Sequence, residues 1–169
     1  RVVVTGLGCV SPVGNTVADA WANILAGKSG IDLITKFDAS NFACRIAGEV
    51  KGFDLESYIS AKDARAMDSF IHFGIAAAAQ AVQDAGLPTG EALDDELATR
   101  IACVIGSGIG GLPLIENTHI EYAARGPRRI TPFFVPASII NMVAGHVSMR
   151  FGFKGPNLSV VTACTTGLH

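Results

Sequence analysis

The sequence is poor in aromatic residues and in net charge. Phe, Trp and Tyr make up 7% of the 169 residues, while apolar residues reach 49% and glycine occurs 19 times. This balance is typical of closely packed helices and strands, and not of a sandwich filled with large rings. The net charge of −2 gives no general field that would attract nucleic acid or an anionic membrane. Any surface for an acidic partner must therefore be local.

Paired cysteines and long apolar runs are also missing. The four cysteines, Cys9, Cys44, Cys103 and Cys164, lie far apart, which matches neither a metal knuckle nor a dense disulfide scaffold. No apolar run approaches the length of a membrane span, and Arg1 leads directly into a strand-like run of valines instead of a secretory leader. We therefore expect a soluble cytoplasmic protein with reduced thiols.

Short apolar runs alternate with segments of helical periodicity along the chain. Strands are predicted at Arg1–Gly6, Arg100–Gly106 and Leu158–Thr162, with a further one near Arg45–Val50. Helices are predicted at Val17–Ala26, Ser69–Ala85, from the glycines at 106–111 to about Ala124, and at Ala137–Phe151. Lys28–Gly52 is predicted to be mostly loop, and Thr89–Thr99 a loop with one short helical turn. The alanine run 76–79 predicts that another backbone packs very near. The alternation indicates an α/β layer with a mainly parallel sheet.

Two glycine-rich turns do not meet the requirements for nucleotide binding. In the turn at 5–12, Ser11 replaces the third glycine of a dinucleotide fingerprint, and Pro12 removes a backbone donor. Gly106–Gly111 lacks the Lys-Ser/Thr pair of a P-loop. Its glycines would let the backbone pass close to another chain or a narrow channel, with Ile109 as a plug. Spacing alone leaves open an ordinary strand-to-helix turn with Ile109 in the core.

The histidines do not predict a metal site. His72, His119 and His146 lie in separate predicted helices, and none has a second ligand at i+3 or i+4. We therefore expect them to be structural.

Cys164 occupies the position that most favours chemistry. It follows the predicted strand Leu158–Thr162 and precedes Thr165–Gly167, which are small enough for a sharp turn and suited to begin a helix. A sharp turn between a strand and a helix that carries a reactive side chain is called a nucleophile elbow. In this arrangement the N–H groups at the start of the helix favour the thiolate, and the cysteine's own N–H can donate to an oxyanion. A cysteine nucleophile also needs a base, which spacing does not reveal, so an inert buried thiol is an equal alternative here. The other three cysteines fit that inert state.

Six segments form a family pattern along the whole chain. They are Val3–Gly8, Ser11–Gly14, Gly106–Gly111, Pro132–Pro136, Asn141–His146 and Thr162–Gly167. In this order they resemble the β-ketoacyl-acyl carrier protein synthases, and among these most the synthase II group of bacterial fatty acid synthesis. The resemblance implies a thiolase-like fold, a layered αβα arrangement with a mainly parallel mixed sheet. Residues 1–169 would be its incomplete N-terminal half, with the C-terminal half absent from this chain.

The resemblance also implies roles for single residues. The cysteine of the family's T-A-C motif takes the acyl group from the carrier protein, and Cys164 is the residue that matches it. Ile109 matches the residue that controls the depth of the acyl pocket, Phe134 a side chain that the dimer partner lends to it, and Ala163 belongs to the substrate site. Two histidines, a lysine and a phenylalanine of the family's site lie downstream of this chain, and His169 is not one of them. No metal or organic cofactor is implied.

A basic patch for an acidic carrier protein follows from the same resemblance. Its residues are Lys62, Arg65, Arg128 and Arg129, while Ala66 stands where a basic residue is common. From the residues alone, such charges would be read as solvated surface. The expected partners are acyl carrier protein and, in the full-length protein, a second copy of the chain. No nucleic acid and no membrane is expected.

The implied activity is a decarboxylative Claisen condensation of a cysteine-bound acyl chain with malonyl-acyl carrier protein in fatty acid biosynthesis, an acyltransferase reaction. A polyketide ketosynthase would share this chemistry. A chain-length factor would keep the fold as a non-catalytic dimer partner, but such proteins lose the nucleophile, so Cys164 counts against it. We expect residues 1–169 alone to be inactive.

Overall fold

A computed structural model describes all of residues 1–169. The helices are α1 (Val17–Leu25), α2 (Ala61–Ala64), α3 (Ser69–Asp84), α4 (Asp95–Arg100), α5 (Leu112–Arg125), α6 (Phe134–Ser138) and α7 (Met142–Phe151). The strands are β1 (Ile31–Leu33), β2 (Ile46–Gly48), β3 (Cys103–Val104) and β4 (Asn157–Leu158), and short 3-10 helices cover Gly90–Ala92, Pro127–Arg129 and Ala163–Leu168. The mixed α/β class predicted from the sequence is confirmed. No helix combines the length and the apolar character that crossing a membrane requires.

The chain forms two compact units. The first comprises residues 1–54 and 76–86, and the second comprises residues 55–75 and 87–169. Helix α3 contributes residues to both, because its first seven residues belong to the second unit and the remainder belongs to the first.

In the first unit, an extended segment lies directly against the C-terminal part of α3. A Cβ atom added to Gly8 would lie 1.8 Å from the carbonyl oxygen of Ala77, and one added to Gly6 would lie 2.3 Å from that of Ala81. The N–H of Leu7 donates to Asp84 Oδ2 at 2.9 Å, which fixes the segment along the helix. Only glycine allows this approach, and the prediction that a backbone packs beside the alanine run is confirmed.

The strand predicted at Arg1–Gly6 is wrong. Residues 1–10 have no strand assignment, and the side chains of Val2, Val3 and Val4 are 101%, 71% and 79% exposed. A β-strand needs a neighbouring strand to satisfy its N–H and C=O groups, and this segment has none within the chain. Its valines therefore remain uncovered.

The first helix and a small hairpin complete the first unit. Helix α1 begins where predicted, because the side chain of Thr16 accepts a hydrogen bond from the N–H of Asp19 at 3.1 Å. Strand β2 confirms the strand predicted near Arg45–Val50, and it pairs antiparallel with β1, which lies in the segment predicted to be mostly loop. Glu49 follows the hairpin and accepts hydrogen bonds from Thr35, chiefly its hydroxyl at 2.6 Å, which hold the pKa of Glu49 below its ordinary value.

The second unit is built around a parallel pair of strands. In this pair β3 lies beside β4, with Cys103 opposite Asn157 and Val104 opposite Leu158. Both strands are shorter than predicted. Residues up to Arg100 belong to α4, which Asp94 caps by accepting from the N–H of Leu97 at 2.8 Å, so Thr89–Thr99 holds more helix than one turn.

The predicted helix Ala137–Phe151 is interrupted. Helix α6 ends at Ser138 and α7 begins at Met142, while α5 covers the helical stretch predicted after the glycines. At the interruption Ile139 has an extended backbone, and the carbonyl oxygen of Ser138 accepts from the N–H of Gly111 at 2.9 Å. A long-range bond thus uses a carbonyl that a continuous helix would have kept for itself.

Candidate active site

Cys164 lies at a turn from the parallel strands into a short helix. Pairing continues slightly beyond the strands, since the N–H of Ile105 donates to Leu158 O at 3.2 Å and the hydroxyl of Ser159 donates to Ile105 O at 2.7 Å. The 3-10 helix Ala163–Leu168 then begins, and Cys164 is its second residue. The predicted strand-to-helix turn is present, although the strand ends earlier than Thr162 and the helix is a six-residue 3-10 helix.

The residue before Cys164 has a strained backbone. Ala163 has a φ of 51°, the left-handed region, which costs a residue with a side chain roughly 1–2 kcal/mol. The hydroxyl of Thr166 bridges this residue, because it accepts from the N–H of Thr162 at 3.0 Å and donates to the carbonyl oxygen of Ala163 at 2.7 Å. Thr165 adds a bond from its hydroxyl to Thr162 O at 2.8 Å. Threonines within the motif thus hold the turn in place.

The glycine-rich turn touches the cysteine turn at its first residue. A Cβ atom on Gly106 would lie 2.1 Å from Cγ2 of Thr166 and 2.4 Å from the carbonyl oxygen of Val160. These distances exclude any side chain at position 106. The glycine is therefore required for close contact between the two turns.

Cys164 has the exposure that a nucleophile needs. Its side chain is exposed, and its backbone N–H donates no hydrogen bond within the chain, which leaves that N–H available to an oxyanion. Cys103 is buried, and burial raises the pKa of its thiol, so it fits the inert state. Cys9 is half-buried, with its N–H donating to Gln80 Oε1 at 3.1 Å. The expectation of an inert buried thiol is wrong for Cys44, which is exposed.

His169 lies close to the cysteine turn but has another partner. Its Nδ1 is 2.8 Å from the hydroxyl of Thr162, at the end of the 3-10 helix that contains Cys164. His169 thus caps the end of this short helix, and that it is not one of the family's downstream histidines stays a prediction.

Ile109 lies at the exposed tip of the glycine-rich turn. Its side chain is 69% exposed, so the alternative that placed it in the core is wrong. The far end of the turn packs on α6, where a Cβ atom on Gly110 would lie 2.5 Å from Ser138 O. Phe134, which is half-buried, is the first residue of the same helix. The turn that carries Ile109 therefore connects the cysteine turn at one end with the helix of Phe134 at the other.

The four predicted docking residues are exposed on the second unit. Lys62 lies in α2 and Arg65 directly follows it, while Arg128 and Arg129 lie in the 3-10 helix Pro127–Arg129. None of them takes part in the ion pairs that join Lys51 to Asp32, Arg125 to Glu121 and Lys154 to Asp95. Their charges are therefore available to an external partner.

The other histidines have structural surroundings. His72 Nε2 lies 3.1 Å from the carbonyl oxygen of Ala64, and His119 is exposed on α5. His146 is half-buried, and burial lowers the pKa of its imidazole, an effect that the nearby Asp63 opposes. No group of three or more His, Cys, Asp or Glu side chains is placed to hold a metal ion.

Sequence reasoning missed Asp68, a buried carboxylate beside the glycine-rich turn. Its Oδ2 accepts from the N–H of Leu114 in the first turn of α5 at 2.9 Å. A signal was present, because an aspartate directly before a helical pattern is a common helix cap. The sequence could not reveal that this side chain would accept from the first turn of a helix that begins more than forty residues later.

The sequence and the fold have clear relatives. The family profile described as "Beta-ketoacyl synthase, N-terminal domain" matches residues 1–169. A relative from Vibrio cholerae serotype O1, named 3-oxoacyl-acyl-carrier-protein synthase 2, is 57% identical over 169 residues, which cover 100% of this chain and 40% of the relative.

Solved structures extend the comparison to the fold. The ishigamide ketosynthase/chain length factor is 28% identical with a TM-score of 0.72, over 96% of this chain and 39% of that chain. A type II polyketide ketosynthase, solved with its acyl-carrier protein, is 22% identical with a TM-score of 0.74, over 98% of this chain and 43% of that one. The chain thus spans about 40% of the length of the curated relatives it matches. Its thiolase-like ketosynthase fold is confirmed, and the chain belongs to the β-ketoacyl synthase family, of which it matches the N-terminal domain.

Proposed function

We propose that this chain is the N-terminal part of a β-ketoacyl-acyl carrier protein synthase of fatty acid biosynthesis, an acyltransferase in which Cys164 carries the growing acyl chain. One observation carries the proposal: an exposed cysteine follows a strained residue at the end of a parallel strand, within the motif that resembles the family's nucleophile. The 57% identity to a 3-oxoacyl-acyl-carrier-protein synthase 2 supports this choice of substrate.

The proposed reaction has two stages. The Cys164 thiolate attacks the carbonyl carbon of an acyl thioester, the bond from that carbon to the carrier's sulfur breaks, and the carrier thiol leaves with a proton. Malonyl-acyl carrier protein then loses carbon dioxide, and the carbanion that remains attacks the acyl carbon on Cys164. The bond to Cys164 breaks, and the product is a β-ketoacyl-acyl carrier protein. The N–H of Cys164 would stabilise the oxyanion in both stages.

The substrate side of the proposal rests on neighbouring residues. Ile109 would limit the depth of the acyl pocket, Phe134 would be contributed across a dimer of the full-length protein, and Ala163 would border the reacting carbon. Lys62, Arg65, Arg128 and Arg129 would bind an acidic carrier protein, and their unpaired charges support this role. The protein would be cytoplasmic, would dimerise and would use no metal or organic cofactor.

Residues 1–169 would form one incomplete half of the functional domain. The residues that catalyse decarboxylation in the family do not map onto this chain, so they would belong to the remaining part of a full-length protein. The side chains of Val2, Val3 and Val4, which are largely exposed here, support a fold that is completed by further chain. The 169-residue chain alone is therefore expected to yield no β-ketoacyl product.

The test uses the full-length protein with a matched cysteine control. Cys164→Ala is expected to lower the condensation rate by about 10³-fold or more, because the step that forms the acyl-enzyme is lost. Cys44→Ala removes the other exposed thiol and is expected to keep full activity. Product formation is followed by mass spectrometry of the carrier-bound acyl chain. Retained activity in Cys164→Ala, or loss of activity in Cys44→Ala alone, would contradict the proposal.

A polyketide ketosynthase is the second candidate. The similarity to the ishigamide ketosynthase/chain length factor favours it, but at 28% identity this similarity is weaker than the 57% identity to the fatty acid enzyme. Competition between a saturated acyl-carrier protein and a poly-β-keto acyl-carrier protein distinguishes the two. A non-catalytic chain-length factor is disfavoured by the presence and exposure of Cys164.

A further inference from the structure

Asp68 is a buried carboxylate that joins several elements of the second unit. It lies directly before α3 and is only 9% exposed. Its Oδ1 accepts from the N–H and, at 3.0 Å, from the hydroxyl of Ser69, while its Oδ2 accepts from the N–H of Leu114 at 2.9 Å. Its own N–H donates to the carbonyl oxygen of Ala137 in α6 at 3.3 Å. Both carboxylate oxygens are thus used inside the protein.

Helix α5 depends on this carboxylate for its first turn. Gly111 precedes the helix and has no side chain to cap it. The N–H of Leu112 donates to Gly110 O at 3.0 Å, Pro113 has no N–H, and that of Ile115 donates to Gly111 O at 3.0 Å. The N–H of Leu114 is the remaining donor, and Asp68 is its acceptor. The cap that local sequence would normally supply comes here from a distant residue.

Burial does not fix the side chain of Ile109. Its side chain is 69% exposed, and a Cβ atom on the adjacent Gly108 would meet nothing within 4 Å. Within the turn, the N–H of Gly110 donates to Ser107 Oγ at 3.1 Å. The turn is joined to the helices at its far end, where the N–H of Gly111 donates to Ser138 O at 2.9 Å and α5 begins. Asp68 holds both partners of that end, since it binds the start of α5 and the carbonyl of the residue before Ser138.

We infer that Asp68 is a positioning residue for acyl-chain selection: it fixes the start of α5 and the end of α6, and so places Ile109 relative to the helix of Phe134. This inference rests on the proposed function, because it needs Ile109 to limit the acyl pocket. Asp68 touches neither the substrate nor the reacting sulfur. A displaced turn changes the depth available to the acyl chain and leaves the chemistry at Cys164 as it was.

The isosteric variant Asp68→Asn isolates this role. The carboxylate accepts on both oxygens, whereas an amide has one accepting oxygen and must point its NH2 group at another N–H. The matched control is Asp94→Asn, since Asp94 also caps a helix in the second unit but accepts only one bond, from Leu97 N at 2.8 Å. Asparagine caps a helix as well as aspartate does, so this control is expected to be neutral.

The measurement is kcat/KM of the full-length enzyme with a series of saturated acyl-carrier proteins of increasing length. For Asp68→Asn, the ratio of kcat/KM between the longest and the shortest substrates is expected to change about tenfold, since one misplaced methylene-sized contact in an apolar pocket has effects of this order. Asp94→Asn is expected to keep the wild-type ratio. An equal decrease for every chain length would mean a merely structural role and would overturn the inference.

The outcomes separate this inference from the proposed function. If the wild-type enzyme condenses acyl chains through Cys164 but Asp68→Asn keeps the wild-type ratio, only the role of Asp68 is refuted. If the wild-type enzyme forms no product, the proposed function fails first, and the comparison of chain lengths has no signal.

Hydrogen exchange tests the same inference without activity or a variant. The amide of Leu114 lies in the first turn of a helix, where amides ordinarily exchange freely, but its bond to the buried Asp68 predicts protection. In the wild-type full-length chain we expect exchange at least about tenfold slower than that of an unprotected amide. Exchange at the unprotected rate would overturn the inference, even if Asp68→Asn folds poorly.

Discussion

The two strands of the parallel pair lead into turns that are stabilised in different ways. The turn after β4 carries Cys164 and is held by Thr165 and Thr166, which bond to residues at most four positions away. The turn after β3 carries Ile109 and has one local side-chain bond, from the N–H of Gly110 to Ser107 Oγ at 3.1 Å. It is also held by Ser138 and by Asp68, which acts through Leu114 from more than forty residues away in sequence. Both turns therefore contain local bonds, but the turn of the residue proposed to select the substrate also depends on hydrogen bonds from distant parts of the chain.

Because the two turns are stabilised differently, substitutions should affect catalysis at Cys164 and chain-length preference to different degrees. A locally encoded turn keeps its geometry as long as its few residues and their direct neighbours, such as Gly106, are kept, so few other substitutions affect the chemistry. A turn held by distant residues moves when any of them changes. Chain-length preference can therefore vary through positions that never touch the substrate.

Gly106→Ala tests the point where the two turns meet and should have the largest effect. The new methyl group would lie 2.1 Å from Thr166 Cγ2 and 2.4 Å from Val160 O, so the backbone must shift. We expect the free energy of unfolding to fall by about 3 kcal/mol, the upper range for overpacking, with loss of condensation. Chemical denaturation of the full-length protein measures the first effect and product formation the second.

Gly108→Ala is the matched control for this substitution. Gly108 lies in the same turn, its backbone is not in the left-handed region, and an added Cβ atom would meet nothing within 4 Å. Its effect on stability should stay within about 0.5 kcal/mol. Equal stability of the two variants would show that the turns are not in contact at Gly106.

Thr166→Val tests the local support of the cysteine turn and should have an intermediate effect. Valine keeps the shape of threonine but loses the hydroxyl that bonds to both sides of the strained Ala163. We expect the rate of acylation at Cys164 to fall about tenfold, because loss of these bonds lets the turn relax. Stopped-flow release of the carrier thiol measures this step.

Two further variants show whether the hydroxyl is responsible. Thr166→Ser keeps the hydroxyl and should restore most of the rate. Thr165→Val removes one side-chain bond, to Thr162 O, whereas Thr166→Val removes two, so the effect of Thr165→Val should be smaller and remain within about twofold. A rate for Thr166→Val equal to that of the wild type would mean that Thr166 does not support the turn.

The sequence predicted correctly those elements that are stabilised by residues close in the chain. Helix α1 with its Thr16 cap, helix α3 and the turn at Cys164 follow from residues that are close in the chain, and all three are present. The close approach of another backbone to the alanine run was also predictable, because glycine and alanine are small enough to let two backbones come into contact.

The errors arise where partners are distant or missing. The valines at 2–4 have strand propensity, but propensity gives no strand without a neighbour to pair with. The apolar residues of Ala137–Phe151 have helical spacing throughout, yet the helix is interrupted after Ser138. There the carbonyl oxygen of Ser138 accepts from the distant Gly111. The position of Asp68 before a helical pattern suggests a cap for α3, but its bond to the start of α5 could not be predicted, since only the folded chain brings Leu114 to it.

A substitution at His146 should have the smallest effect. His146 lies in α7, the helix that packs against both strands leading into the two turns. Helix α7 packs against β3 and β4, and Ala144 O accepts from Asn157 Nδ2 at 3.0 Å. Burial lowers the pKa of His146 below its ordinary 6.5, and the charge of Asp63 opposes this change. His146, Asp63 and Arg150 line one groove. The unfolded chain therefore binds a proton more readily than the folded one, and stability present above pH 6.5 is lost as the pH falls towards the lowered pKa.

His146→Gln should make the full-length protein less sensitive to acid. Between about pH 7.5 and about pH 5 the thermal midpoint of the variant should fall by less than that of the wild type, since glutamine does not titrate. His119→Gln is the control, because His119 is exposed on α5, and its midpoint should follow the wild type. A steeper fall for His146→Gln would contradict the direction of the pKa shift. Hydrogen exchange in the wild-type protein at low pH extends this test to the two turns. An equal rise in exchange in the turns of Cys164 and Ile109 would mean that α7 stabilises both. The two turns would then differ only in the residues that form hydrogen bonds to each of them.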